Sequence, residues 1–237
     1  MNINKHTADS RGTAQHSWLR SHHTYSFASY YNQERMGFGV LRVINDDHVK
    51  PSKGFGEHSH QNMEIISIPL SGALRHQDSM GHQQVIHAGE VQLMSAGTGI
   101  THLEYNHSDI EEVNFLQIWV LPKEIDTTPH YQQRSFDSLA RKNQFQLLVS
   151  PDGRDSSLAI NQNAYFSRID LDKEKTVNYP LFCRNNGVYL FVISGQVMLG
   201  EMCLNTRDGV EISQFEQINL TAKADAQLLC IEVLITL

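Results

Sequence analysis

The chain has 237 residues, of which 40% are hydrophobic and 19% are charged, as in an ordinary globular protein with one large domain or two small ones. Its net charge of −7 disfavours a broad phosphate-binding surface, so we expect no direct nucleic-acid binding. The polar first twenty residues contain no secretory signal and no apolar run is long enough to cross a bilayer, so a cytoplasmic protein without membrane contact is expected.

Short apolar runs separated by Gly, Asn, Asp and Ser dominate the N-terminal half, and helical periodicity is scarce. We predict one strand over residues 36–46, ending in an Asn45-Asp46 turn, and another over 63–70. Pro69 has no backbone N–H to donate, so we expect it at a sheet edge or a bulge. The strongest apolar strand of this half is predicted over 114–122.

Residues 126–145 are polar without sustained alternation, and we interpret them as a linker that carries one short helix. Apolar runs resume after this segment and echo the first half. In each half a strand ends at Ser-Gly, a second strand runs back, and a Gly-containing turn opens a third. The echo favours a duplicated β-domain, although β-hairpin chemistry alone can produce the same pattern.

Two pairs of polar side chains stand out in the first half. His58 and His60 are separated by one residue, and so are His102 and Glu104. On a strand, residues i and i+2 point to the same face, with Cα atoms about 7 Å apart. The intervening hairpins can return the second strand beside the first, so we expect the four groups to line one interior. Glu64 is either a fifth ligand or an acceptor that orients a histidine ring.

Three imidazoles and one carboxylate suit a first-row transition ion such as Fe, Mn, Ni, Cu, Co or Zn, with positions left for water or substrate. The same offsets from the Ser-Gly turn of the second half give Leu181, Cys183, Ala222 and Ala224, so that copy has lost the polar quartet. The remaining histidines lack such pairing, and we interpret them as surface or turn residues: His6, His16, His22, His23, His48, His76, His82, His87, His107 and His130.

The three cysteines are Cys183, Cys203 and Cys230. Their number is odd and their spacing is wide, which fits neither a disulfide framework nor a zinc ribbon. We therefore predict buried, reduced thiols.

The stretches GFGEHSHQNMEII (54–66) and AGEVQLMSAGTGITHLEYN (88–106) resemble the two cupin motifs in the form found in the pirin family. The HxHxxxE core is intact, whereas Gly72 closes the first motif one residue late and Ser95 replaces the usual proline. Pirins share these departures, and the resemblance extends over nearly the whole chain.

This resemblance implies an all-β bicupin, with two antiparallel β-barrel (jelly-roll) domains joined by a short linker. The expected divisions are a metal-binding domain at 1–125, the linker at 126–145 and a degenerate cupin at 146–237 that lacks the metal quartet. The pirin ligand set corresponds here to His58, His60, His102 and Glu104. In pirins the glutamate of the first motif does not bind the metal, which places Glu64 beside a ligand.

The resemblance further implies a dioxygenase that cleaves quercetin or a similar flavonol or enol-bearing aromatic with O2, opening the ring and releasing carbon monoxide. One divalent transition metal per chain is expected, with iron first, and Glu104 is expected to be the catalytic base. Phe27, Phe38 and Phe55 are candidate walls of the substrate pocket.

Two other functions stay open at this point. The quartet can instead belong to a non-catalytic metal- or redox-responsive regulatory protein that binds an enzyme or a transcription factor. A sugar or keto-acid isomerase would need basic residues near the metal, for which Arg42 and Arg75 are candidates. Two barrels in one chain already supply a paired architecture, so we expect a monomer.

Overall fold

The structure, a computed structural model, describes residues 1–235 of the chain, so the last two residues of the predicted domain 146–237 lie outside it. The described residues form twenty strands and three short 3-10 helices, at Ala8–Ser10, Ser138–Arg141 and Arg154–Ser156. This confirms the predicted all-β class. No helix in this part of the chain has the length and apolarity needed to span a membrane.

Twelve strands precede residue 136, and they are β1 (Asn2–His6), β2 (Gly12–Gln15), β3 (Leu19–His23), β4 (Leu41–Val49), β5 (Gly54–His60), β6 (Glu64–Ser71), β7 (Ala73–Asp78), β8 (Gln83–His87), β9 (Glu90–Ser95), β10 (Ile100–Asn106), β11 (Val113–Val120) and β12 (His130–Ser135). Eight more follow, and they are β13 (Gln146–Ser150), β14 (Leu158–Ala159), β15 (Ala164–Leu171), β16 (Thr176–Asn178), β17 (Asn186–Leu199), β18 (Met202–Asn205), β19 (Gly209–Ser213) and β20 (Asn219–Leu234).

The N-terminal half contains two sheets. Seven strands pair in the order β12-β9-β6-β11-β4-β3-β2, and four strands pair in the order β5-β10-β7-β8. The C-terminal half forms a nine-stranded sheet along β1-β19-β17-β20-β15-β13-β14, with β16 on β20 and β18 on β17. Two predicted cupin units are therefore present, each built mainly of antiparallel strands.

The largest apolar cluster joins the two units. It combines Ile66 and Ile118 of the seven-stranded sheet with Phe191 and Ile231 of the nine-stranded sheet, all fully buried. A separate cluster fills the C-terminal unit. The interior of the N-terminal unit instead holds two smaller apolar clusters, one around Phe115 and one around Met94. Polar side chains occupy the space that these two clusters leave.

Strand pairing crosses the predicted domain limits at two places. Asn2–His6 pairs with β19 of the C-terminal sheet, and His130–Ser135, inside the predicted linker, pairs with β9 of the N-terminal sheet. The predicted short helix of the linker is the single 3-10 turn Ser138–Arg141. The limits 1–125, 126–145 and 146–237 stay a prediction, but β1 belongs to the C-terminal sheet and β12 of the predicted linker belongs to the N-terminal sheet.

The predicted turn at Asn45-Asp46 is wrong, because both residues lie in the middle of β4. Asp46 is buried and accepts hydrogen bonds from Asn114 (2.8 Å) and Arg11 (3.4 Å). These long-range partners satisfy a carboxylate that would otherwise favour a turn. Pro69 lies beside a register shift between β6 and β11, as predicted.

All three cysteines are free. Cys230 is buried as predicted, whereas Cys183 and Cys203 are half-buried. The expectation of burial was therefore wrong for two of them. Cys203 lies on the short strand β18, and Cys183 lies in the loop between β16 and β17.

Candidate metal centre and cavity

Antiparallel pairing of β5 with β10 brings the two predicted pairs together. His102 lies opposite His58, and a bulge follows between His102 and Glu104. The Nε2 atoms of His58 and His102 are 3.0 Å apart. The ring centroid of His60 lies 4.8 Å from that of His58 and 4.9 Å from that of His102. Three imidazoles therefore converge on one point, and each offers a ligand atom within 4.8 Å of the others.

The ring environments favour neutral imidazoles with free lone pairs. Burial, followed by the charges of the neighbouring imidazoles, lowers the pKa of His60 to about 4 and that of His102 to about 3. His58 directs Nδ1 at the carbonyl oxygen of Gly56, 2.8 Å away. This contact places a proton on Nδ1 and leaves Nε2 free. The donor set fits a first-row transition ion.

Glu104 is fully buried beside these rings. Its carboxylate accepts hydrogen bonds from Gln117 Nε2 at 2.6 Å and from Ser67 Oγ at 3.2 Å. A carboxylate oxygen of Glu104 lies within 4.8 Å of ligand atoms of His102 and His76. Glu104 thus belongs to the same polar cluster, but the structure groups it with His102 and His76 rather than with all three converging rings.

A cavity of about 460 Å³ opens against the histidines. Its walls include two edge-to-face aromatic pairs, Trp18 with Phe55 and Phe27 with Trp119, each with ring centroids 5.3 Å apart. Trp119 also contacts the ring of His60 at 4.9 Å. Flat apolar walls that meet a polar cluster are typical of a site for a small, planar molecule.

The wall formed by β3 and β4 is polar and carries Ser21, His23, Asn45 and Asp47. His23 Nδ1 lies 2.8 Å from Asn45 Oδ1. Burial, followed by the charges of Asp46 and Glu104, raises the pKa of Asp47 to about 7. No Lys or Arg is among the described residues that line the cavity. The cavity therefore offers hydrogen bonds but no cation to an anionic substrate.

Two predicted site residues lie elsewhere. Phe27 and Phe55 line the cavity, but Phe38 packs against the apolar cluster between the two units. Glu64 lies on β6 three residues from Ser67, hence on the opposite face. Its carboxylate accepts hydrogen bonds from Ser95 Oγ (2.7 Å) and from the backbone N–H of Asn161 (3.2 Å). The structure does not bring Glu64 to a ligand imidazole.

The interpretation of ten histidines as surface or turn residues was wrong for three. His6, His23 and His76 are buried, and His76 is in contact with the candidate centre. A signal for His76 existed in the sequence, because His76 and Asp78 form a third i, i+2 pair. Trp119 and Gln117 carried no such signal, because both lie in a predicted apolar strand and neither forms a pair with a candidate ligand.

Both groups of convergent metal-binding side chains within residues 1–235 lie in the N-terminal unit. The loss of the quartet from the second half stays a prediction.

Family models match the chain in both units. The model described as Pirin matches residues 4–120, and the model described as Quercetinase C-terminal cupin domain matches residues 147–233. A quercetin 2,3-dioxygenase of Escherichia coli K12 is 42% identical over 226 residues, which cover 95% of this chain and 96% of that protein. A pirin-like protein of Caulobacter vibrioides is 38% identical over 231 residues, covering 97% and 99% of the two chains.

A solved structure has the same fold. The crystal structure of the bacterial pirin YhhW from Escherichia coli in complex with nickel(II) superimposes with a TM-score of 0.94. It is 40% identical and covers 99% of this chain and 100% of its own.

Proposed function

The chain belongs to the pirin family, and we propose that it is a metal-dependent dioxygenase acting on quercetin or a similar flavonol or enol-bearing aromatic. The supporting observation is the convergence of His58, His60 and His102 at a cavity with flat aromatic walls. The name quercetin 2,3-dioxygenase carried by the Escherichia coli relative supports the same reaction class.

We propose that His58, His60 and His102, together with Glu104, hold one divalent transition metal per chain. When bound, such an ion supplies a Lewis acid that lowers the pKa of an enol hydroxyl. Iron is the proposed ion in the cell. Nickel(II) is a suitable probe, because a 40% identical relative has been crystallised with it.

The protein side chains orient the substrate and move its proton. The aromatic pairs Trp18–Phe55 and Phe27–Trp119 contact the flavonol rings and exclude water from them. Glu104 accepts the proton of the 3-hydroxyl as general base, and Gln117 and Ser67 hold its carboxylate in place. The resulting flavonolate is electron-rich enough to add O2. Both oxygen atoms enter the ester product and one ring carbon leaves as carbon monoxide, so no other oxidant is needed.

The isomerase alternative loses its support in the cavity. Arg42 donates to the backbone carbonyls of Ser26 and Met36, and Arg75 lies over the ring of Tyr105. Neither lines the cavity, which carries the carboxyl groups of Asp47 and Glu104 instead. A phosphorylated or carboxylated substrate would find no Lys or Arg to pair with among the described residues that line the cavity.

The test is aerobic loss of quercetin absorbance by protein of known iron or nickel content, run with His60→Ala and with His87→Ala as matched control. His87 is an exposed histidine on β8. We expect metal-dependent bleaching by the wild type and the control, and none by His60→Ala. A folded, fully loaded wild type that leaves quercetin intact contradicts the proposal and favours the regulatory alternative.

A further inference from the structure

Strand β10, which carries His102, pairs with β5 on one side and with β7 on the other. In the pairing of β10 with β7, Glu104 lies opposite His76 and His102 lies opposite Asp78. The Nδ1 atom of His102 is 3.4 Å from Nδ1 of His76, whereas its Nε2 faces His58. The ring of His102 therefore stands between the converging imidazoles and a buried histidine that contacts neither His58 nor His60 by hydrogen bond.

Asp78 fixes the position of the proton on the ring of His76. The Asp78 carboxylate lies 3.1 Å from His76 Nε2 and 2.9 Å from His82 Nδ1, and it accepts the backbone N–H groups of Met80 (2.9 Å) and His82 (3.1 Å). A carboxylate with four such neighbours acts as acceptor only. His76 must then carry its proton on Nε2, because a lone pair there would face the carboxylate oxygen.

The tautomer of His102 follows from that of His76. A neutral His76 with its proton on Nε2 has a lone pair on Nδ1. Gln92 Nε2 donates to this atom at 3.4 Å, and His102 Nδ1 must also present a hydrogen to it. With its proton on Nδ1, His102 keeps the lone pair of Nε2, which points to the converging rings. His58 likewise keeps the lone pair of Nε2, because its Nδ1–H donates to the carbonyl oxygen of Gly56.

Packing holds this arrangement rigid. His76 is fully buried, and the ring of Tyr131 stacks on His76 and on His82, with centroids 4.9 Å apart in both cases. Tyr131 lies on β12, so the strand within the predicted linker covers His76 and His82.

We propose that His76 and Asp78 are positioning residues that fix the tautomer and the ring orientation of His102, so that its Nε2 is presented to the metal. The proposal rests on the proposed metal centre, since it assigns His102 as a ligand. Partners of this kind, in which a ligand histidine is held through its other nitrogen, change metal affinity by about 10- to 100-fold when removed.

A competing assignment makes His76 a ligand. His76, His102 and Glu104 also offer ligand atoms within 4.8 Å of one another. An ion there would require His102 Nδ1 to give up its proton while Nε2 serves the first ion. The two assignments differ in stoichiometry: positioning predicts one ion per chain, and a second site predicts two.

The experiment titrates nickel(II) into metal-free wild type, His76→Phe, His76→Gln and the matched control His87→Phe. Phenylalanine keeps a ring beside Tyr131 but has no acceptor, whereas the glutamine amide oxygen can accept from His102 Nδ1. We expect one nickel per chain throughout, about 10- to 100-fold weaker binding by His76→Phe, partial recovery in His76→Gln and no change in His87→Phe.

Nitrogen-15 NMR of the histidine rings in metal-free wild type gives a readout independent of turnover and of any variant. We expect His102 to carry its proton on Nδ1. A proton on Nε2, nickel binding by folded His76→Phe within twofold of wild type, or two nickel ions per wild-type chain would each overturn the proposal. Failure of the dioxygenase assay leaves these readouts unaffected, so the two proposals fail separately.

Discussion

Gly54→Ala tests whether the spacing of β5 and β10 sets the metal centre. A Cβ atom at Gly54 would lie 2.2 Å from the backbone oxygen of Glu104 and 2.4 Å from Cα of Tyr105. Both are backbone atoms that cannot rotate away. Because nonbonded carbon contacts have their optimum at about 3.5–4.0 Å, one strand must move by about 1 Å. Such overpacking costs about 1–3 kcal/mol of unfolding free energy.

The same displacement separates His58 from His102 and Glu104, because the pairing of these strands places them together. A misplacement of about 1 Å in a site can cost about 100-fold in activity. The matched control is Gly56→Ala on the same strand, where an added Cβ meets nothing within 4 Å.

The assay combines urea unfolding with nickel(II) titration of both variants. We expect Gly54→Ala to lose stability and at least tenfold in nickel affinity, while Gly56→Ala stays within about 0.5 kcal/mol of wild type in stability. Equal nickel affinity and equal stability for the two variants would refute the reasoning, since only one of the added methyl groups meets backbone.

Three further predictions concern stability and the cavity. Asp46→Ala removes the acceptor shared by Arg11 and Arg207, which lie 3.4 and 3.6 Å from Asp46 Oδ2. Urea unfolding should therefore show that the free energy of unfolding falls by about 3–5 kcal/mol. A fall of less than about 1 kcal/mol would contradict the buried pairing. Burial, and then the charge of Arg35, lower the pKa of His6 to about 4, so its stabilising contribution is complete above pH 6.5 and is lost as the pH falls toward 4. His6→Phe should therefore lose about 1.4 kcal/mol less per pH unit than wild type in that window, and equal slopes would refute this. Phe55→Ala should raise the KM for quercetin about tenfold through the lost aromatic contact, whereas Phe38→Ala should lower the unfolding midpoint and leave KM unchanged; the reverse pattern would exclude the assigned cavity.

Local sequence patterns predicted the class of fold and the strands that carry the candidate ligands. The pairs His58/His60 and His102/Glu104 could be recognised because the two-residue period of a strand is a local property. Their convergence needed only one long-range pairing, which the hairpins between them restrict strongly.

The failures share a physical origin in long-range register. Asn45 and Asp46 have turn propensity, but Asn114 and Arg11 hold them inside β4. Glu64 has the parity of His60 along the chain, yet the chain changes sheets between β5 and β6 and turns its side chain away. The position of Phe38 depends likewise on contacts between the two units, which no local pattern reports.

The polar interior of the N-terminal unit illustrates the same limit. The buried side chains Gln92, Ser67, Gln117, Asn45 and His23 lie opposite one another on five neighbouring strands. Each is an unremarkable polar residue in its own strand. Together they form a row of polar side chains across the sheet, which only the order of the strands reveals. Two members of this row, Ser67 and Gln117, donate hydrogen bonds to Glu104.

The central claim is tested most directly by counting the carbon monoxide released for each quercetin consumed, with isotopically labelled O2. The account predicts one carbon monoxide per quercetin and two labelled oxygen atoms in the product, from the metal-loaded wild type and not from His60→Ala. Quercetin loss without carbon monoxide, or an equal yield from the metal-free chain, would contradict it.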